Sequence, residues 1–179
     1  MKKKRFSLRR GKNGKYAKCP TVGELKLIGK EHGPLLSALY SRGGGMDGGL
    51  TNYSIHRAEN GEGFVFEKSE CAHYGLPTSV AAYRVGEDRI KALHAYACEY
   101  ALDAWEDLPD SEDFVLDAPS EMIGISFNDS DFGGSRFEYY SISFECVLPE
   151  GGRAILNGFI DLLLACAAEE ALIRSYTEE

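Results

Sequence analysis

The residue types able to do chemistry are few and scattered. The chain holds four histidines (His32, His56, His73, His94) and five cysteines (Cys19, Cys71, Cys98, Cys146, Cys166). Cys71-x-His73 places a thiol beside an imidazole in sequence, and His94 and Cys98 lie one helical turn apart. Either pair would suit a thiolate nucleophile with its base, or two ligands of a zinc ion. Neither has a third group at a spacing that predicts convergence. The CxxC, GxSxG and HExxH patterns are absent. No catalytic residue, metal ligand or cofactor is therefore assigned. The chain reads as a binding protein, with an enzyme using an unrecognised site as an alternative. The run Ser41-Arg42-Gly43-Gly44-Gly45-Met46-Asp47-Gly48-Gly49 invites a phosphate-cradling reading, but it lacks the Gly-Lys-Ser/Thr ending and lies between two expected strands. A hairpin connection explains it.

Charge is the stronger signal. Residues 1–30 carry eleven bases and one acid, whereas the whole chain has 20 bases, 28 acids and a net charge of −8. A basic arm on an acidic body follows. Lys2, Lys3, Lys4, Arg5, Arg9, Arg10, Lys12, Lys15 and Lys18, with Phe6 and Tyr16 among them, suit a sequence-independent grip on an RNA or DNA backbone. From Ala92 to Ser135 there are eleven acids and no lysine or arginine. Within that tract Asp103, Glu106, Asp107, Asp110, Glu112, Asp113 and Asp117 are the candidate contacts to a basic protein partner, standing in for nucleic-acid phosphates. Arm and tract also have a bland reading, as a tail and a solvated face that offset one another.

These residues need elements to hold them. Residues 1–20, broken by Gly11, Gly14 and Pro20, read as a flexible arm, and 21–179 as one domain. Residues 21–35 fit a helical turn or a short strand equally. Strands are expected at 35–40, around Leu50, Tyr53 and Ile55, at Phe64–Phe66 after the turn Glu59-Asn60-Gly61, and at Ser79–Val85. A helix follows over 87–105, its apolar residues Ile90, Leu93, Ala97, Tyr100, Ala101 and Ala104 at three- and four-residue spacing, with Pro109 as the stop. Strands at Met122–Phe127 and Phe137–Val147 and a helix over 152–170 complete an α+β order, β-β-β-α-β-β-α. The strands form an antiparallel sheet with two main helices on one face. Residues from Glu169 onward read as a polar end.

With 179 residues and 44% hydrophobic side chains, the chain is long and apolar enough for a sizeable core and too apolar for a disordered protein. Its longest apolar run is interrupted by Asp161, so no membrane span or membrane partner is expected. Ser7, Leu8, Arg9 and Arg10 follow the basic start where a secretory segment would be apolar. Five scattered cysteines read as free thiols of a cytoplasmic protein.

Arg42-Gly-Gly-Gly-Met-Asp-Gly-Gly-Leu50 with Tyr53-x-Ile55 resembles a group of uncharacterised small bacterial proteins. In these a Gly-Gly-Gly-Met-x-Gly-Gly stretch precedes a strand, and a later strand leads to a helix, here Tyr83-Arg-Val85 and the segment to Trp105. The resemblance implies no activity. In class alone, a small acidic domain without a catalytic signature is similar to phage and mobile-element inhibitors of bacterial defence, anti-CRISPR and antirestriction proteins among them. The functional expectation is a non-enzymatic inhibitor or regulator of a nucleic-acid-handling complex, such as a Cas nuclease or another defence enzyme. A protein–protein interaction module, acting alone or as a homodimer, is the other expectation.

Overall fold

The computed structural model describes residues 8–11, 13–45, 48–58, 61–111, 119–132 and 137–178. It begins with a short helix, α1 (Val22–Ile28), which resolves the ambiguity of residues 21–35. Thr21 caps it in a reciprocal box: Thr21 Oγ1 accepts from the Glu24 N–H, and Glu24 Oε2 accepts from the Thr21 N–H at 2.8 Å. Two of the helix's orphan donors are satisfied in this way.

Four strands then run as an antiparallel meander: β1 (Leu35–Gly43), β2 (Leu50–Arg57), β3 (Phe64–Cys71) and β4 (Thr78–Val85). Helix α2 (Glu87–Glu99) carries the chain back across the sheet to β5 (Ser120–Phe127), which pairs with β1, and β6 (Glu138–Ser143) pairs with β5. Helix α3 (Gly152–Leu164) returns it to β7 (Leu172–Glu178) at the other edge, beside β4. The spatial order is β6-β5-β1-β2-β3-β4-β7, antiparallel throughout. The expected α+β class and antiparallel sheet with two main helices hold, while the expected order β-β-β-α-β-β-α is extended by a fourth strand before α2 and by β7 after α3.

Strand alternation sorts the sheet into two faces. One cross-strand row runs Tyr140, Ile125, Ala38, Ile55, Phe66 and Tyr83. All but Tyr83 are buried, together with Ile90, Leu93 and Ala97 of α2 and Leu156, Phe159 and Leu163 of α3. Each isoleucine, leucine or phenylalanine among them contributes on the order of 1.5–3 kcal/mol by leaving water. The neighbouring row, pointing the other way, is Ser141, Gly124, Leu39, Ser54, Glu67, Ala82 and Arg174.

Three boundaries differ from expectation. The α2 helix ends at Glu99, not near 105, because Ala101 takes a left-handed backbone (φ 51°) and starts a 3₁₀ turn, Leu102–Trp105. That reversal buries Leu102 and Trp105 completely. The α3 helix stops at Leu164, and the supposed polar end is strand β7, exposed at every position. Its order comes from the ladder with β4, which no hydrophobic period reports. The segment before Pro20 is also no detached arm where it is described. Tyr16 is 4% exposed, its N–H donates to the Asp107 carbonyl and its hydroxyl to the Ala104 carbonyl at 2.9 Å.

Candidate functional site

Of the basic candidates, Lys2, Lys3, Lys4, Arg5 and Lys12 lie outside the described residues, as do Glu112, Asp113 and Asp117 of the acidic set. Among the described remainder, two bases and two acids meet one another. Arg10 pairs with Asp107 at 2.5 Å, and Lys15 with Asp110 at 3.4 Å and with the Glu106 carbonyl at 3.3 Å. Arg10 also lies over the Tyr16 ring. Burial, with Asp107 beside it, pushes the Tyr16 phenol up to about 12, so it stays a neutral donor. Arg9, Lys18 and Glu106 are exposed. Reversing Asp107 and Asp110 would therefore act first on the chain's own arm.

Asp103 is a correction to the acidic set. It is 8% exposed and belongs to the interior. The 3₁₀ turn carries it inward, where its Oδ2 accepts the Lys30 N–H at 3.1 Å and lies 3.5 Å from His32 Nε2. On the other side of the imidazole, Nδ1–H donates to Asp129 Oδ2 at 2.7 Å, and Asp129 Oδ1 accepts the Gly33 N–H at 2.8 Å. The ring stacks on Phe127 with centroids 4.1 Å apart. Burial works against a positive charge on His32, but the two carboxylates outweigh it and hold the imidazole above its ordinary value. The three residues come from three separate segments: the α1–β1 link, the turn after α2, and the end of β5. Gly33 permits the arrangement, because a β-carbon there would overlap the Asn128 carbonyl. The group is a buried charge clamp. Sequence reading missed it because the members are 71 and 26 residues apart (His32–Asp103 and Asp103–Asp129).

Beside the clamp, between α2 and the ends of β1–β3, lies a cleft of about 510 Å³. Pro34, Leu35, Phe64 and Ile90 give it apolar walls, and Arg57, Lys91 and His94 reach it. His94 Nε2 is 2.9 Å from the Gly33 carbonyl and so carries the hydrogen that it donates there. Cys98 Sγ, 3.6 Å from the same nitrogen, meets an N–H where a nucleophile would need a base. Burial, then Asp103 and Asp129, push the Cys98 thiol up, away from a thiolate. The Cys71 thiol donates to the backbone carbonyls of His73 and Leu76. Among the described residues no group of three or more His, Cys, Asp or Glu is placed to hold a metal ion. No helix among them is long and apolar enough to cross a membrane. The Gly-rich run connects β1 to β2, and Gly48 and Gly49 pack against the 72–74 backbone. Asp47 of that run lies outside the described residues.

The sheet face turned away from α2 and α3 is the broadest feature. Ser37, Ser41, Asn52, Ser54, Ser69, Ser126, Ser141 and Ser143 alternate along its strands with the core residues. Tyr139 lies over Gly124, whose missing side chain admits the ring. The Arg174–Glu67 ion pair, 2.9 Å, straddles Ala82. No protein-family model, curated protein or solved structure matches the chain.

Proposed function

We propose that this chain is a non-enzymatic macromolecule-binding protein that engages its partner through the open face of the sheet. One observation carries the reading: a seven-stranded sheet is packed by α2 and α3 on one side, while the other side carries partly exposed Ser37, Ser41, Asn52, Ser54, Ser141 and Ser143 interleaved with Leu39, Met122 and Tyr139. The hydroxyl and amide groups cost far less to desolvate than charges, and each can donate and accept, so a flat partner can be met without an exact charge pattern. The hydrogen-bonded ladder holds the face rigid, which limits the ordering cost of association. The His94–Cys98 pair, by contrast, has its imidazole committed to the Gly33 carbonyl.

The test is co-purification of the tagged chain from its host, compared with a Ser41→Arg/Ser54→Arg variant that charges the centre of the face and a Lys91→Glu variant on α2. Loss of a stoichiometric partner only in the double arginine variant supports the reading. Retention of the same partner by all three overturns it.

A second reading draws on the charge split between residues 1–30 and the rest. In it the chain inhibits or regulates a nucleic-acid-handling complex, such as a Cas nuclease or an antirestriction target, with the arm near RNA or DNA. Arg10 and Lys15 are engaged with Asp107 and Asp110, so the grip falls on Lys2–Arg5, Arg9, Lys12 and Lys18. Binding to a mixed-sequence DNA duplex should then fall steeply between 50 and 200 mM salt. Salt-independent binding, or none, removes this reading.

A further inference from the structure

We infer that strand β7 pairs with the β7 of a second copy, antiparallel and centred on Tyr176, joining two sheets into one across a two-fold axis. β7 is the last strand in the sheet, beyond β4, and all seven of its residues are exposed. Its outer row of N–H and C=O groups is a template for another strand. The opposite edge differs: the 3₁₀ turn Leu102–Trp105 packs beside β6, and Lys30 reaches its Tyr140 hydroxyl. β7 has neither lysine nor proline, and it exposes Leu172, Ile173 and Tyr176.

The occupant follows from charge. In antiparallel self-pairing, a register centred on residue 176 sets Tyr176 opposite the partner's Tyr176, Ser175 opposite the partner's Thr177, and Arg174 opposite the partner's Glu178. The two-fold axis makes the last contact twice. These five residues are also the part of β7 that is regular. Arg174 to Glu178 pair without interruption with Ala82 to Thr78, and the irregularity in the ladder lies beyond them, between Ala82 and Tyr83. Opposite charges directly across an antiparallel pair attract and like charges repel; Arg174 already holds Glu67 of its own chain at 2.9 Å, and the fork of its guanidinium carries enough donors to meet a second carboxylate across the axis, so this stretch is complementary to itself. The axis stands perpendicular to the sheet, so both open faces end on one side and both helix layers on the other. The pairing is independent of the open-face reading, because it uses the edge.

Two charge variants test it by sedimentation of the full chain. The parent should approach twice its 19.7 kDa at tens of micromolar. Glu178→Arg sets Arg174 against arginine at both contacts, and Arg174→Glu sets two glutamates together, so each alone should dimerise at least tenfold more weakly. Mixed in equal amounts, they restore an Arg–Glu contact at both places and should form a heterodimer. The pairing is overturned by a monomeric parent, by singles that dimerise like the parent, or by a mixture that stays monomeric while both melt as the parent does. Should either variant fail to fold, Tyr176→Cys replaces them. Under mild oxidation, relative to the parent's own thiols, it should give a disulfide-linked dimer that Ile173→Cys does not. Equal cross-linking of the two, or none, overturns the register. Open-ended polymers in place of dimers would do the same, since they require β7 to meet a different edge.

Discussion

Replacing His32 with asparagine tests the buried clamp most directly. The imidazole sits between two buried carboxylates, 2.7 Å from Asp129 and 3.5 Å from Asp103. Asparagine can still donate one hydrogen bond to Asp129 but brings no charge. Removing one member of a buried ionic group leaves the others uncompensated, at a cost of about 3–5 kcal/mol, against about 1 kcal/mol for the loss of an ordinary hydrogen bond. The larger figure is a big share of a typical stability of ~5–15 kcal/mol. The pH dependence distinguishes charge from packing. His32 is held above its ordinary value by the two carboxylates, so the fold binds a proton that the unfolded chain releases near pH ~6.5. Its stabilisation is therefore complete below that pH and is lost as pH rises through the folded value, at up to about 1.4 kcal/mol per unit. Urea unfolding of parent and variant between pH 5.5 and 8, below the range where thiols ionise, should show a gap that is widest at the acid end and narrows upward. A constant gap, or a variant within about 1 kcal/mol of the parent throughout, would refute the charged imidazole and leave His32 as a stacked ring on Phe127.

Three further outcomes follow. Deleting residues 1–18 removes the buried Tyr16 and should cost several kcal/mol, as large aromatic truncations do (about 3–5 kcal/mol), whereas Tyr16→Phe loses only the bond to Ala104 and should cost about 1 kcal/mol; a deletion that melts with the parent would show that the docked arm contributes nothing. Gly33→Ala forces a methyl group into the Asn128 carbonyl and should cost more than the ~1–3 kcal/mol of ordinary overpacking, read by chemical denaturation; a neutral result would mean that the 32–34 link moves freely. Cys166, buried and pushed up to about 11, should resist iodoacetamide at pH 8 in the folded chain and react fully in urea, scored by mass spectrometry, and rapid labelling of the native protein would contradict its burial.

What could be read from the sequence follows from which forces have a local signature. Helix α2 and the meander β1–β4 announce themselves because their apolar residues recur at the spacing of the element that buries them: Ile90, Leu93 and Ala97 on one helix face, Tyr53 and Ile55 on one strand face. Strand β7 has no such period. Both its sides stay exposed, and what orders it is a ladder with β4, whose partner residues lie about a hundred positions earlier. The end of α2 was hidden for a different reason. Tyr100, Ala101 and Ala104 continue the helical spacing, and nothing in that period reports that Ala101 turns left-handed and buries Leu102 and Trp105.

The same distinction governs the candidate sites. Counting charges located a basic segment and an acidic tract, and both exist, but counting could not tell a charge facing solvent from one facing another part of the chain. Arg10 and Lys15 settle on Asp107 and Asp110 because Tyr16 carries the segment between them into the core beside Ala104, and the ion pairs follow the burial. Asp103 has the composition of a surface residue and the position of a core one. The 3₁₀ turn brings it inward, where the backbone N–H of Lys30 and the imidazole of His32 make its charge tolerable. A buried carboxylate without such partners would cost too much to persist, so the acid and the histidine must be understood together, and no spacing rule joins positions 32, 103 and 129. The open face has the opposite character: its serines alternate with the core residues of β1, β2 and β6, and the pattern is visible in Tyr139–Ser143 once that segment is read as a strand. That the helices leave this face uncovered is a property of topology, set by α2 and α3 both crossing on the side of Ala38, Ile55 and Phe66. A surface made by leaving something out cannot be found by looking for a motif.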